Sequence, residues 1–230
     1  MKENLLQMDS VAFGKYFDHT LLKPYASNAD FEQFCKDGIK CGVKMLAVNS
    51  AAVQLCKSLT EGRDIHVGAA VGFPLGQTTI ETKLFETADA IKNGADEIDY
   101  VINIVELKNK NYSYIENEMK EIVAVCREHG IISKVIFENC YLEDGEKKQL
   151  CEIANLVKPD FIKTSTGFGT GGAALKDVAL MRQYAEGFIK IKASGGIKVL
   201  ADVIKMIEAG AERIGTSSTV SIMKEFETKK

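Results

Sequence analysis

Short runs of β-branched and apolar residues alternate with longer amphipathic stretches along the whole chain, and this alternation is what most limits the folds open to it. The candidate strands are Lys15–Leu21, Val43–Val48, His66–Val71, Glu97–Ile102, Ser133–Phe137, Phe161–Thr164, Ile189–Lys192 and Arg213–Thr216. Helical spacing marks Asp30–Lys40, behind a Ser27/Asn28 start signal, and then Ile80–Asn93, Ser113–Glu128 and Val199–Ala209. Gly94, Gly130 and Gly210 come just past the last three, where a left-handed residue closes a helix, and a strand follows each time. Such alternation implies parallel strands joined by right-handed crossovers. Eight units in 230 residues close naturally into a (β/α)8 barrel, which leaves no edge strand. The rival is a doubly wound open sheet. It usually has fewer strands, and here no Gly-x-Gly-x-x-Gly follows the first strand to mark a dinucleotide crevice. With only 3 prolines and no linker or low-complexity run, the chain reads as one α/β domain, a TIM barrel over residues 1–230.

Composition narrows the function classes. Hydrophobic residues make up 46%, enough for a large core, yet no stretch nears the roughly 20 apolar residues of a membrane helix. The first residues, MKENLLQMDSVAF, have no apolar run after their lysine and do not read as a secretory signal. A net charge of -3, from 29 basic and 32 acidic residues, predicts neither nucleic-acid nor membrane binding. Cys35, Cys41, Cys56, Cys126, Cys140 and Cys151 form no Cys-x-x-Cys pair and are expected to be reduced thiols in a cytoplasmic protein. The 3 histidines, His19, His66 and His129, have no metal-ligand spacing, so no metal site is expected.

In a barrel of this type the strand C-termini and the loops after them build the active site, so polar residues there carry the chemistry. Strand 1 ends in Asp18-His19-Thr20, strand 2 in Asn49-Ser50, and strand 5 in Glu138-Asn139. Strand 6 carries Lys163 and runs into Thr164-Ser165-Thr166-Gly167, while strand 7 carries Lys190 and Lys192 before Ala193-Ser194-Gly195-Gly196. Alternation puts Lys163 on one side of its strand with Phe161 and Ser165. If Lys163 and Lys192 both face the mouth, their charges repel and burial disfavours each, so at least one pKa falls and a neutral amine can attack an aldehyde. Asp99 stands in the apolar run Glu97-Ile98-Asp99-Tyr100-Val101-Ile102-Asn103, where a carboxylate needs a cationic partner. A lysine from across the barrel would supply one, and the pair could otherwise be purely structural. Two lysines and one carboxylate can provide nucleophile, proton shuttle and orienting charge.

The loops after strands 7 and 8 read as a phosphate cup. Gly195-Gly196 allows backbone N–H groups close to an anion, and Ser217/Ser218 precede the final helix and its positive dipole end. Gly167, with the Phe168–Gly172 loop behind it, is a candidate third wall or mobile lid. Asp18, Thr20, Asn49, Thr166 and Gly215 complete the candidate substrate contacts. His19 is the one histidine near a strand C-terminus; His66 starts a strand and His129 ends a helix, which directs both to the opposite face.

Six segments together resemble the deoxyribose-phosphate aldolase family. They are Asp18-His19-Thr20-Leu21-Leu22-Lys23-Pro24, Val71-Gly72-Phe73-Pro74-Leu75-Gly76, Asp96 through Asn103, Lys163-Thr164-Ser165-Thr166-Gly167-Phe168, Lys192-Ala193-Ser194-Gly195-Gly196-Ile197 and Arg213-Ile214-Gly215-Thr216-Ser217-Ser218. They run in family order across essentially the whole chain. The resemblance implies a cofactor-free class I lyase that splits 2-deoxy-D-ribose 5-phosphate reversibly into D-glyceraldehyde 3-phosphate and acetaldehyde. It implies Lys163 as the Schiff-base lysine, Lys192 lowering its pKa and moving protons, and Asp99 working with Lys192 and an ordered water. It also implies phosphate held by Gly167, Gly195, Gly196, Ser217 and Ser218, and the expected assembly is a homodimer. Other readings are a different Schiff-base phosphosugar aldolase, or a phosphosugar isomerase or binding barrel with the same cup. The chain departs from the family at Leu46-Ala47-Val48-Asn49-Ser50, where many relatives have Val-Cys-Val-Asn-Pro, and at Glu227-Thr228-Lys229-Lys230, where some have a tyrosine. The first departure is expected to alter the strand 2 loop, and the second to remove any tyrosine contribution to turnover.

Overall fold

Eight parallel strands, β1 (Phe17–Leu21), β2 (Met45–Asn49), β3 (His66–Val71), β4 (Glu97–Val101), β5 (Ile132–Ile136), β6 (Phe161–Lys163), β7 (Lys190–Ser194) and β8 (Arg213–Thr216), pair in sequence order and close on themselves. The structure is a computed structural model and describes residues 5–229. Closure is made by β8 against β1, with Phe17 opposite Ile214 and Asp18 opposite Gly215. Eight helices follow the strands in turn: α2 (Asn28–Cys41), α3 (Val53–Leu59), α4 (Ile80–Lys92), α6 (Tyr112–Glu128), α7 (Asp144–Val157), α8 (Leu175–Tyr184), α9 (Leu200–Glu208) and α10 (Thr219–Lys229). Two short helices are additions, α1 (Ser10–Gly14) ahead of the barrel and α5 (Ile104–Lys108) behind β4. The (β/α)8 expectation therefore holds, and β3 and β8 have the bounds read from the sequence. The first strand begins later than expected because Lys15 is held in a helical turn as the C-cap of α1.

Alternation along the strands sorts the chain into two interiors of opposite chemistry. Leu46, Val48, Val67, Ala69, Val71, Ile98, Tyr100, Val135, Ile162, Ile191, Ala193 and Ile214 point outward and pack under the helices in one continuous apolar core. The residues between them point into the barrel, and many are charged: Asp18, Glu97, Asp99, Lys134, Lys163, Lys192 and Arg213 are all buried. Barrel interiors are usually filled by branched apolar side chains. Here most apolar residues pack outside the strands, and the lumen is given largely to ions, with Met45 and Phe161 among them.

Local signals explain where the helices start. Ser27 and Asp30 form a reciprocal capping box at α2, and Thr79 accepts from the Thr82 amide at the start of α4. The left-handed glycine at the end of α2 is Gly42, and Gly94, Gly130 and Gly210 also carry positive φ. An aromatic cluster ties the two ends of the chain together. Phe13 of α1 stacks on Phe226 of α10 at 4.0 Å and meets Phe17 of β1 edge-on at 5.2 Å. Phe13 is fully buried, so Phe13→Ala should cost about 3–5 kcal/mol in urea-monitored unfolding; a loss under about 1 kcal/mol would mean that α1 is not part of the cooperative unit.

Candidate active site

Asp99 on β4 is the hub of the lumen. Its Oδ2 accepts from Lys163 Nζ at 2.8 Å and from Lys192 Nζ at 2.7 Å, while Oδ1 accepts from Lys134 Nζ at 2.7 Å. Strand register brings these groups together. Asp99 is level with Lys134 across β4 and β5, and Lys163 is level with Lys192 across β6 and β7. Below the hub, Lys134 also pairs with Glu97, which takes Arg213 at 3.1 Å and His66 Nδ1 at 2.6 Å. Asp18 closes the circuit, binding Lys192 Nζ and Arg213 Nη2, both at 2.5 Å. The ring of Phe161 lies under Lys134, Lys190 and Arg213 at 5.6 to 5.9 Å.

Three carboxylates (Asp18, Glu97, Asp99) thus face four cations (Lys134, Lys163, Lys192, Arg213) inside one buried volume. Losing one proton balances the set, and the groups differ sharply in how readily they give it up. Burial works against the charge on Lys134, but Asp99 and Glu97 outweigh it and hold that ammonium above the ordinary lysine range. Burial likewise opposes the Asp99 carboxylate, and the three lysines overcome it, keeping Asp99 ionised far below the usual range. For Lys163 burial prevails: despite Asp99, and helped by repulsion from Lys192, its pKa falls to about 8. Lys163 is the amine that can be neutral near physiological pH and therefore nucleophilic.

Lys163 and Lys192 form the floor of a cavity of 540 Å³ at the C-terminal ends of the strands. Gly195 and Gly196 lie on its wall with φ of 87° and 77°, a backbone region that glycine enters without strain. Gly167, Thr166, Thr20, Gly215 and Ser217 also line it. Gly215 is small for a reason: a Cβ there would lie 3.1 Å from Lys192 Cε and 2.7 Å from Ser194 Cβ. Ser218 is half-buried just outside the lining, and its amide donates to Thr216 Oγ1 at 2.9 Å.

Besides Ser218, two further sequence-derived contacts do not line the cavity. Asp18 is fully buried beneath it and engaged by Lys192 and Arg213, so it can hold the network but offers nothing to a ligand. Asn49 donates to the Leu22 carbonyl at 3.3 Å and does not line the cavity. The histidines divide as their strand positions imply. His19 lines the cavity, stacked on Phe34 at 4.5 Å with Nδ1 3.0 Å from Thr219 Oγ1, and burial lowers its pKa to about 4, so it stays neutral. His66 is at the N-terminal face against Glu97, and His129 is exposed at the end of α6. Among the described residues no group of His, Cys, Asp or Glu has metal-site geometry, and no helix is long and apolar enough to cross a membrane. All six cysteines are free.

A profile of the DeoC/LacD family aldolases matches residues 13–224. The chain belongs to this aldolase family. A deoxyribose-phosphate aldolase from Lactobacillus acidophilus is 52% identical over 210 residues, covering 91% of this chain and 89% of the relative. One from Bacteroides thetaiotaomicron is 47% identical over 209 residues, with 91% and 88% covered. The tetrameric deoxyribose phosphate aldolase of Aeropyrum pernix superposes with a TM-score of 0.89 at 27% identity over 99% of both chains. As a member of the aldolase family the protein is a lyase.

Sequence reasoning missed four residues of this aldolase site: Lys134, Glu97, Arg213 as an ion-pair partner, and Lys198, which lines the mouth beside Gly196. Lys134 carried a readable signal. It stands inside the apolar run Ile132–Ile136, the same anomaly that singled out Asp99.

The titration of Lys163 tests this electrostatic account. Trapping of the Lys163 amine should rise with pH to a midpoint at about 8 and level off above it. Asp99 attracts the charged form, so Asp99→Asn should move the midpoint down; Lys192 repels it, so Lys192→Met should move it up. A wild-type midpoint at the ordinary lysine value of about 10.4 would contradict the account.

Proposed function

We propose that the protein catalyses the reversible aldol cleavage of 2-deoxy-D-ribose 5-phosphate to D-glyceraldehyde 3-phosphate and acetaldehyde through an imine on Lys163. The observation that carries this reading is the pair of ammonium groups, Lys163 and Lys192, sharing one oxygen of Asp99 on the floor of a cavity walled by Gly195 and Gly196. The curated relatives named deoxyribose-phosphate aldolase, at 47–52% identity, support the choice of substrate.

The steps follow from electron demand. Neutral Lys163 adds to the C1 aldehyde, and loss of water leaves a protonated imine. A base takes the C3 hydroxyl proton, the C2–C3 bond breaks, and its electron pair passes into the imine to give an enamine. The leaving fragment is D-glyceraldehyde 3-phosphate. Protonation at C2 and hydrolysis then release acetaldehyde and return the amine. Both proton transfers are assigned to Lys192 and Asp99 acting with a water, a reading supported by the contact between Lys192 Nζ and Asp99 Oδ2. Phosphate is assigned to Gly167, Gly195, Gly196 and Ser217 of the cavity wall and to Ser218 just outside it at the start of α10, with Thr20, Thr166 and Gly215 shaping the remainder of the pocket. Neither a metal nor an organic cofactor is required, since the imine itself is the electron sink. The reading places the protein in the cytoplasm and expects a homodimer; light scattering reads the assembly, and the Aeropyrum pernix relative is a tetramer.

Borohydride trapping with 2-deoxyribose 5-phosphate, followed by peptide mass mapping, is the decisive experiment. The expected result is a substrate-derived adduct on Lys163 with parallel loss of activity. An adduct on Lys192 would exchange the two lysine roles, and ligand binding without any adduct would favour an isomerase or binding barrel. Lys163→Ala should abolish turnover, and Lys192→Leu should lower kcat by about a hundredfold or more.

A further inference from the structure

Glu138 has no part in the chemistry above, yet it is among the most constrained residues of the barrel. It follows β5 with φ 57° and ψ 60°, a left-handed conformation that a non-glycine residue enters at a cost in strain. Its side chain is buried, and burial pushes the carboxyl up from its ordinary value. A buried carboxylate on a strained backbone persists when the surrounding structure depends on it. Every polar partner of this one belongs to the mouth of the barrel or the turn beside it. Oε1 and Oε2 accept from the Thr166 amide at 3.1 and 3.3 Å, Oε2 also accepts from the Thr166 hydroxyl, and Cys140 Sγ is 3.9 Å from Oε1.

These contacts fix the segment that follows Lys163. The Thr166 hydroxyl, held by Glu138 on one side, accepts from the Phe168 amide at 3.0 Å on the other. Gly167 lies between those two residues with φ 90°, close against Gly195: a Cβ built on Gly195 would be 3.4 Å from Gly167 Cα. Further along, Gly169 covers the Glu138 carboxyl, where an added Cβ would stand 3.2 Å from Cδ. Gly172 then presses on the Gly195 carbonyl, and Ala173 N donates to that oxygen at 3.0 Å. The loop after β6 is therefore gripped at one point by the Glu138 carboxylate and at another by the Gly195 backbone, with Gly167 of the phosphate cup between them.

We infer that Glu138 is a positioning residue that sets the phosphate-binding loops through Thr166, and thereby the preference for a phosphorylated over a free sugar. It makes no hydrogen bond to Lys163 and reaches it only by electrostatic attraction; Lys163 is held by strand pairing and by Asp99 rather than by this loop. The inference rests on the aldolase reading of the site.

The test compares 2-deoxyribose 5-phosphate with 2-deoxyribose in Glu138→Gly, which removes the carboxylate and suits the left-handed backbone, and in Glu138→Gln, which keeps an acceptor for the Thr166 amide. In Glu138→Gly, kcat/KM for the phosphorylated sugar should fall by about tenfold to a hundredfold, mainly through KM. For the free sugar it should stay within about threefold, and borohydride trapping of Lys163 with acetaldehyde should be unchanged. Glu138→Gln should recover most of the loss. Equal losses on both sugars, no loss on either, or a Gln variant as impaired as the Gly variant would overturn the inference. Should Glu138→Gly fail to fold, Glu138→Asn, which tolerates the backbone but is too short to reach Thr166, takes its place; failure of both to fold would assign Glu138 to folding alone. A wild-type protein that neither traps nor cleaves either sugar would instead overturn the aldolase reading.

Discussion

The carboxylate of Asp99, shared among three lysines, is the interaction on which the rest of the molecule depends. Isolated, each of these ions would be costly to bury, since taking one charge out of water carries a penalty of several kcal/mol. Together they satisfy one another within hydrogen-bond distance, and the strands supply the spacing that lets them do so. The lumen is thereby polar and rigid at once. The apolar core, displaced to the outside of the strands, supplies the burial that offsets the cost of that interior.

The same arrangement explains how two lysines on neighbouring strands acquire different roles. Lys134 has acidic groups on two sides and remains charged, whereas Lys163 has one acidic oxygen, which it shares with a second cation. Burial opposes the charge on both; acidic groups on two sides overcome it at Lys134, and at Lys163 it prevails with the help of repulsion from Lys192. Opening toward the cavity gives Lys163 access to a substrate, while Lys134, lower in the lumen, has none.

Much of this was legible in the sequence, for identifiable reasons. Strand–helix alternation has a strong periodic signature, and His66–Val71 and Arg213–Thr216 were bounded correctly because turn residues and charged ends frame them. Lys163, Lys192 and Asp99 were readable because a charge inside an apolar strand is expensive and calls for an explanation. Asp18 was readable as important but not in its task. Its expected position at a strand end pointed to the mouth, whereas β1 runs on to Leu21 and leaves Asp18 low in the lumen against Lys192 and Arg213, the latter 195 residues away in the chain. Pairings of that span are set by strand register, which local patterns do not encode. Helices such as Asp144–Val157 and Leu175–Tyr184 were harder to delimit, since neither ends in a glycine of the kind that closes Tyr112–Glu128.

A lumen built from mutually dependent ions also constrains how such a barrel can change over time. Replacing one apolar residue in an oily interior leaves a void that its neighbours can partly fill. Replacing one ion here strands its partner, and the deficit passes from Asp99 to Lys134 to Glu97 to Arg213 and back through Asp18. The inheritable unit is then the whole circuit. Single steps away from it are steeply downhill, and only matched replacements on different strands lead to another workable interior. Diversity in such a lineage should accumulate on the helices and loops while the lumen stays fixed as a block.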